Sequence, residues 1–318
     1  MAYSERSEDS ITTYSPFLSE RPDRIFPSTA ASAATPFPPR GTASGERSWQ
    51  PATPPLDIGQ VSLTVNDLTR VGDFYQTALG LEKLSDDGTE ARFGASGRSL
   101  IALRQDKSAP RHSPREAGLF HTAFLLPSRA DLGAWLHHAA ETRIPLQGAS
   151  DHLVSEALYL ADPEGNGIEI YIDRPRDQWT HRGGEIEMAT NHLDLQDVAS
   201  SATTRWKGAP KGTVVGHVHL QVGRLDPAEA FYAETLGMAV TNHYPGATFY
   251  GSGGYHHHLA SNIWNSRGAG PRNGPATGLT EIELRGTAAE IAAIRSRAPA
   301  ETPLTDPWGT TFTLSQKD

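Results

Sequence analysis

The stretch GQVSLTVNDLTRVGDFYQTALGL, residues 59–81, decides the fold, because it recurs as GHVHLQVGRLDPAEAFYAETLGM at residues 216–238. In each copy a run of alternating apolar positions (VSLTV, VHLQV) has the period of a half-buried strand. A short turn follows, then a Phe-Tyr pair, then Leu-Gly. Phe74, Tyr75 and Leu79 fall at helical spacing, and Gly80 reads as a helix stop. The register is rigid: Gln60 to Phe74 and His217 to Phe231 are each 14 residues apart.

Weaker copies follow each strong one. GLFHTAFLLPSRADLGAWL begins at Gly118 and GLTEIELRGTAAEIAAI at Gly278, and His121 to Trp135 again spans 14 positions. Short strand patterns come after each helix: ARFGASG and SLIALRQ, EALYLAD and GIEIYID, ATFYGSG and HHHLASNIW, and TTFTLSQ. The predicted fold is therefore α+β, with four βαβββ modules building curved mixed sheets. One such module exposes a half-open sheet and needs a partner to bury a core. Residues 58–173 are expected to form a first domain (modules 58–106 and 118–173) and 214–318 a second (modules 214–265 and 277–318). Residues 174–213, with their prolines and polar side chains, read as a connection.

The first 57 residues differ in kind. Segments such as STAASAATPFPPRGTASG are rich in Ser, Thr, Pro and Ala and lack periodic apolar spacing. Such a segment buries too little surface to offset its ordering entropy, which predicts a disordered tail. It carries acids and no apolar run beside a basic start, so neither a secretory signal nor a transit peptide is expected, and the default compartment is cytoplasmic. The charge of −9 argues against nucleic acid or an anionic membrane as partner. With 0 Cys, disulfides, thiolate metal sites and cysteine nucleophiles are excluded. Any metal must be held by His, Asp, Glu or neutral oxygen donors. There is no GxGxxG, P-loop or GxSxG, so nucleotide-binding and serine-hydrolase readings have no support.

The repeated DFYQTALGL and AFYAETLGM within βαβββ units resemble the vicinal-oxygen-chelate superfamily of glyoxalases, extradiol dioxygenases and antibiotic-resistance proteins. The likeness covers residues 58–318. HLVSEALYLADPEGNGIEIYIDRP, residues 152–175, is similar to the extradiol ring-cleavage signature in its His152, Leu158-Tyr159, Asp162-Pro163, Gly165 and Glu169. Ser150 stands where the signature has a different small or aliphatic residue. DPEGNG is a turn cluster that delivers Glu169 onto a strand, with Tyr171 on its face and Ile168 and Ile170 on the other. A carboxylate in an apolar strand needs a partner; the bland alternative is a surface ion pair.

In this superfamily the metal ligands sit on the first and last strands of the modules. In register, the first-strand positions are Gln60, His121, His217 and Glu281; the last-strand positions are Ala102, Glu169, one of His256–His258, and Thr313. Modules two and three keep imidazoles, so the preferred metal triad is His121, Glu169 and His217, with Gln60, His121 and Glu169 as the competing set. The resemblance implies Fe(II), ahead of Mn(II), Ni(II) or Zn(II), and a small aromatic diol and O2 as reaction partners. It also implies acid–base roles for His152 and Tyr159, to which His257 is added as a catalytic candidate. His219, His256, His258 and Asn262 are candidate substrate contacts, with His256 and His258 on one face of the strand and His257 on the other. Trp264 reads as core. The competing functions are a glyoxalase-like isomerase or lyase and a non-catalytic small-molecule binder. Edge-rich modules are compatible with a homo-oligomer.

Overall fold

In a computed structural model, the chain is described over residues 54–272, 274–298 and 303–317. The first module contains β1 (Leu56–Val65), α1 (Leu68–Thr77), β2 (Glu82–Asp86), β3 (Glu90–Ala95) and β4 (Arg98–Gln105). The second contains β5 (Gly118–Leu125), α2 (Arg129–Thr142), β6 (Gly148–Asp151), β7 (Ser155–Ala161) and β8 (Gly167–Asp173). The connection holds a small hairpin, β9 (His181–Arg182) with β10 (Glu185–Ile186), and α3 (Leu195–Ser200). The third module has β11 (Val214–Gln221), α4 (Leu225–Glu229) running into a π turn (Ala230–Thr235), β12 (Ala239–Tyr244), β13 (Ala247–Gly251) and β14 (Leu259–Asn262). The fourth has β15 (Gly278–Gly286), α5 (Ala288–Arg297), β16 (Leu304–Thr305) and β17 (Thr311–Gln316).

Two expectations need correction. The predicted tail lies outside the described residues up to residue 53, but its last positions are ordered. Leu56 is buried, opens β1 and donates its N–H to Ser252 Oγ at 3.0 Å, because an apolar side chain and a strand partner are both available there. The fourth module departs from the βαβββ pattern: among the described residues it has two strands after its helix.

The strands form two large mixed sheets that cut across sequence order. One runs β12-β13-β14-β11-β5-β8-β7-β6 and unites modules two and three; the other runs β16-β17-β15-β1-β4-β3-β2 and unites modules one and four. Each is closed at its centre by two first strands pairing antiparallel, β5 with β11 and β1 with β15. Val61 and Leu63 of one sheet and Val218 and Leu220 of the other, all but fully buried, share the main apolar core with Tyr75, Phe124 and Trp135. Full burial of such a side chain contributes roughly 1.5–3 kcal/mol.

Local chemistry repeats with the modules. Asp67, Ser128 and Thr287 each accept a backbone N–H three residues on and so cap α1, α2 and α5. In DPEGNG, Asp162 Oδ1 accepts the N–H groups of Glu164 (2.8 Å) and Asn166 (3.0 Å). In DPWGTT, Asp306 Oδ1 accepts those of Trp308 (2.9 Å) and Thr310 (2.8 Å). Both turns place a glycine at positive φ, Gly165 at 88° and Gly309 at 92°. Glu164 then reaches into the first module. Its buried carboxylate accepts the N–H groups of Asn66 (2.9 and 3.0 Å) and Asp67 (2.9 Å) ahead of α1, with Arg111 3.4 Å away.

Replacing Glu164 by Ala would orphan those two N–H groups beside the buried turn. Glu164→Ala is therefore expected to lower unfolding stability by about 1–3 kcal/mol, read by chemical denaturation. An unchanged midpoint would show that the turn does not hold the two modules together.

Candidate metal centre

The centre grows from strand pairing. On β5, Ala123 is aligned in parallel with Glu169 of β8 and antiparallel with His217 of β11. Tyr159 of β7 continues the row beyond Glu169. His121 shares the face of Ala123, because residues two apart on a strand point the same way, and it stands opposite His219. The methyl of fully buried Ala123 leaves room above it, and the longer side chains around it converge there.

His121 Nε2 lies 3.0 Å and His217 Nε2 3.2 Å from the same carboxylate oxygen, Glu169 Oε2. All three groups are buried, and their candidate ligand atoms lie within 4.8 Å of one another. The contact from His121 does not have hydrogen-bond geometry: its Nε2 is a buried nitrogen with no hydrogen-bond partner. Donors about 2.1 Å from one cation and at right angles to one another would stand about 3 Å apart. The spacing and the orphaned nitrogen therefore fit a bound divalent ion, and two imidazoles with one carboxylate form a facial ligand set with open positions.

Burial alone would raise the Glu169 carboxyl, but the facing His217 and His121 outweigh it and hold it well below the usual carboxylate range. Burial pushes His217 down to about 4, against the pull of Glu169. At neutral pH these two groups thus meet as carboxylate and neutral imidazole, the forms a metal requires.

Beside the centre, His152 Nδ1 donates to the carbonyl of Ala189 at 2.6 Å, and its Nε2 lies 2.6 Å from the Tyr159 hydroxyl. Burial lowers the His152 imidazole. Burial, reinforced by Glu169, raises Tyr159 well above its ordinary value and keeps its proton on oxygen. The Tyr159 ring is 5.7 Å from that of His121. On another side, His219 is buried with its ring 5.0 Å from Phe120 and 5.4 Å from Trp264. Phe120 reaches it through a bulge, as the extra residue of β5 between pairs His219–His121 and Leu220–Leu119.

The histidine run departs from expectation. His256, His257 and His258 precede β14 rather than belonging to it, so strand alternation does not govern them. Ala260, not a histidine, is the third-module counterpart of Glu169: it pairs with His219 as Glu169 pairs with Ala123. The His257 ring is 4.1 Å from that of His217. His256 hydrogen-bonds to Asp173 and His257. His258 accepts the N–H of Ser252 at 3.2 Å and lies against Tyr255. Asn262 is buried and accepts the N–H of Trp264 at 3.2 Å, and half-buried Trp264 faces His219 rather than the apolar core. Gln60 lies in the other sheet, where Ser99 Oγ donates to its Oε1 at 2.6 Å.

Sequence reasoning overlooked Phe120, Phe249, Asp173 and Tyr255. Asp173 was legible, since 169, 171 and 173 share one face of β8; Phe120 depends on a bulge and Tyr255 on a loop that no local pattern reveals, and Phe249 on the pairing of β13 with β14.

Residues 57–170 and 214–313 match the model of the Glyoxalase/Bleomycin resistance protein/Dioxygenase superfamily. The chain belongs to this superfamily. It is 42% identical to the catechol-2,3-dioxygenase of Bacillus subtilis (strain 168) over 228 residues, which is 70% of this chain and 80% of that protein. By that relationship it is an extradiol-dioxygenase-like enzyme. Over 102 residues, 30% of this chain and 47% of the relative, it is 36% identical to biphenyl-2,3-diol 1,2-dioxygenase 3 of Rhodococcus globerulus. A solved glyoxalase I variant from Zea mays shares the fold at a TM-score of 0.50 and 13% identity, covering 82% of this chain and 94% of the other. Among the described residues, no helix is long and apolar enough to cross a membrane.

The purified chain is expected to bind close to one divalent ion, and His121→Ala, Glu169→Ala and His217→Ala each to bind far less, by elemental analysis after dialysis. Full occupancy in any two of these variants would rule out this ligand set.

Proposed function

We propose that the chain opens the ring of catechol or a substituted catechol by extradiol cleavage, with Fe(II) as its metal and O2 as co-substrate. The observation that carries this reading is the buried His121–Glu169–His217 cluster with the His152–Tyr159 pair set directly beside it. The similarity to a catechol dioxygenase over 70% of the chain supports it.

Bound at that cluster, Fe(II) would acidify a diol held through both oxygens and couple its electrons to O2. The chain supplies the rest. Because His152 Nδ1–H is committed to the Ala189 carbonyl, the neutral His152 ring offers the Tyr159 hydroxyl an acceptor at Nε2, alongside the Glu169 carboxylate to which that hydroxyl also hydrogen-bonds. The pair can therefore take a proton at His152 Nε2 and return one from Tyr159 Oη. Burial of the three ligands keeps bulk water from the reacting ring. Phe120, Phe249 and Trp264 around His219 offer aromatic surfaces against which a planar ring can pack. Both oxygen atoms of O2 enter the ring-opened product, so no external reductant is consumed.

Anaerobic reconstitution with Fe(II), followed by catechol and air, should give a yellow ring-opened product with one O2 consumed per catechol. Tyr159→Phe should retain the metal and lose about 10–1,000-fold in turnover. No absorbance gain across a panel of catechols would sink the proposal, and turnover of an α-hydroxythioester precursor without O2 uptake would favour a glyoxalase-like isomerase.

A further inference from the structure

A hydrogen-bonded chain lies behind His257. It begins at Asp173, the last residue of β8 and four positions beyond Glu169. Tyr171 sits between them on the same face, and its hydroxyl approaches β11 where Gly216 leaves space; a Cβ at Gly216 would fall 1.9 Å from that oxygen. Tyr171 Oη meets Tyr255 Oη at 2.8 Å, and Tyr255 donates to Asp173 Oδ1 at 3.0 Å. Since Tyr255 spends its proton on Asp173, Tyr171 is the donor to Tyr255.

The same oxygen, Asp173 Oδ1, lies 2.8 Å from His256 Nε2. His256 Nδ1 then lies 2.7 Å from His257 Nδ1. His256 is fully buried, with its ring 4.1 Å from Tyr255 and 5.2 Å from Trp179, and turning it over would take both nitrogens away from their partners Asp173 and His257. Hydrogen-bond bookkeeping along this chain has one solution for neutral rings. A carboxylate offers only acceptors, so His256 Nε2 carries the His256 proton and its Nδ1 is bare. A contact between two ring nitrogens needs a single proton, which must then sit on His257 Nδ1.

We propose that Asp173 and His256 are positioning residues for His257, fixing its proton on Nδ1 and leaving Nε2 as a bare acceptor beside the metal centre. Asp173 orders His256, and His256 orders His257, much as a carboxylate fixes the tautomer of a histidine it contacts directly. The His257 ring lies 4.1 Å from that of His217 and 4.9 Å from Phe249, so its orientation decides what the proposed substrate meets on that side. Only the assignment of His257 to the reaction rests on the proposed ring cleavage; the proton arrangement does not.

The test is 15N NMR of the ring nitrogens in full-length protein loaded with diamagnetic Zn(II), with the His257 signals assigned by their loss in His257→Asn. The wild-type chain should show a protonated, pyrrole-type Nδ1 and a bare, pyridine-type Nε2 on His257, and the reverse pattern on His256. His256→Phe, which keeps an aromatic ring among Tyr255 and Trp179, should release His257 to the other tautomer. In the Fe(II) protein the same variant should lose about 10–100-fold in kcat with KM changed less than about threefold. A bare Nδ1 on wild-type His257, or an unchanged tautomer in His256→Phe, overturns the proposal whatever happens to turnover. The expected nitrogen pattern in a protein that opens no catechol would support the positioning chain and count against the ring-cleavage reading alone.

Discussion

Antiparallel hydrogen bonding between β5 and β11 joins the second module to the third, and each candidate metal ligand is placed relative to that seam. His121 and His217 come from its two strands, and Glu169 from β8, the parallel neighbour of β5. Two irregularities in the seam shape the centre. Gly216 is the extra residue on β11 and admits the Tyr171 hydroxyl; Phe120 is the extra residue on β5 and turns an aromatic ring toward His219. A regular ladder would supply neither feature.

The other sheet shows what the architecture does without ligands. Its seam, β1 with β15, has the same kind of irregularity, with Gly59 beside Glu283 and Thr280 as the counterpart of Phe120. At the four equivalent ligand positions stand Gln60, Ala102, Glu281 and Thr313; Gln60, Ala102 and Glu281 line one polar cavity, but no imidazole is among them, and Gln60 accepts from Ser99 while Glu281 accepts from Thr313. Tyr75, Phe93 and Phe312 remain as deeply buried there as Tyr171 and Phe124 are beside the β5–β11 seam. Both pairs of modules thus keep the core of the repeat, while among the described residues the buried His–Glu–His cluster occurs in one pair.

Much of this was legible in the chain itself. Alternation in VSLTV and VHLQV located the first strands and the 14-residue spacing set the register; the resemblance to the superfamily then pointed to His121, His217 and Glu169 at first- and last-strand positions. The DPEGNG turn likewise announced the strand that carries Glu169. What stayed hidden was non-local. Nothing in the period of HHHLASNIW says that the strand starts at Leu259 instead of His256, since β13 and the long loop before β14 decide where pairing begins. Nor does composition reveal that Leu56 finds Ser252, 196 residues away, and so draws the end of the tail into β1.

The central claim is that one ion is shared across the β5–β11 seam. It is tested most directly by anomalous diffraction from crystals of the chain grown with a divalent transition metal. The account requires a single strong peak about 2.0–2.3 Å from His121 Nε2, His217 Nε2 and a Glu169 oxygen. A peak bound in the other sheet, or coordination that leaves out either imidazole, would contradict it.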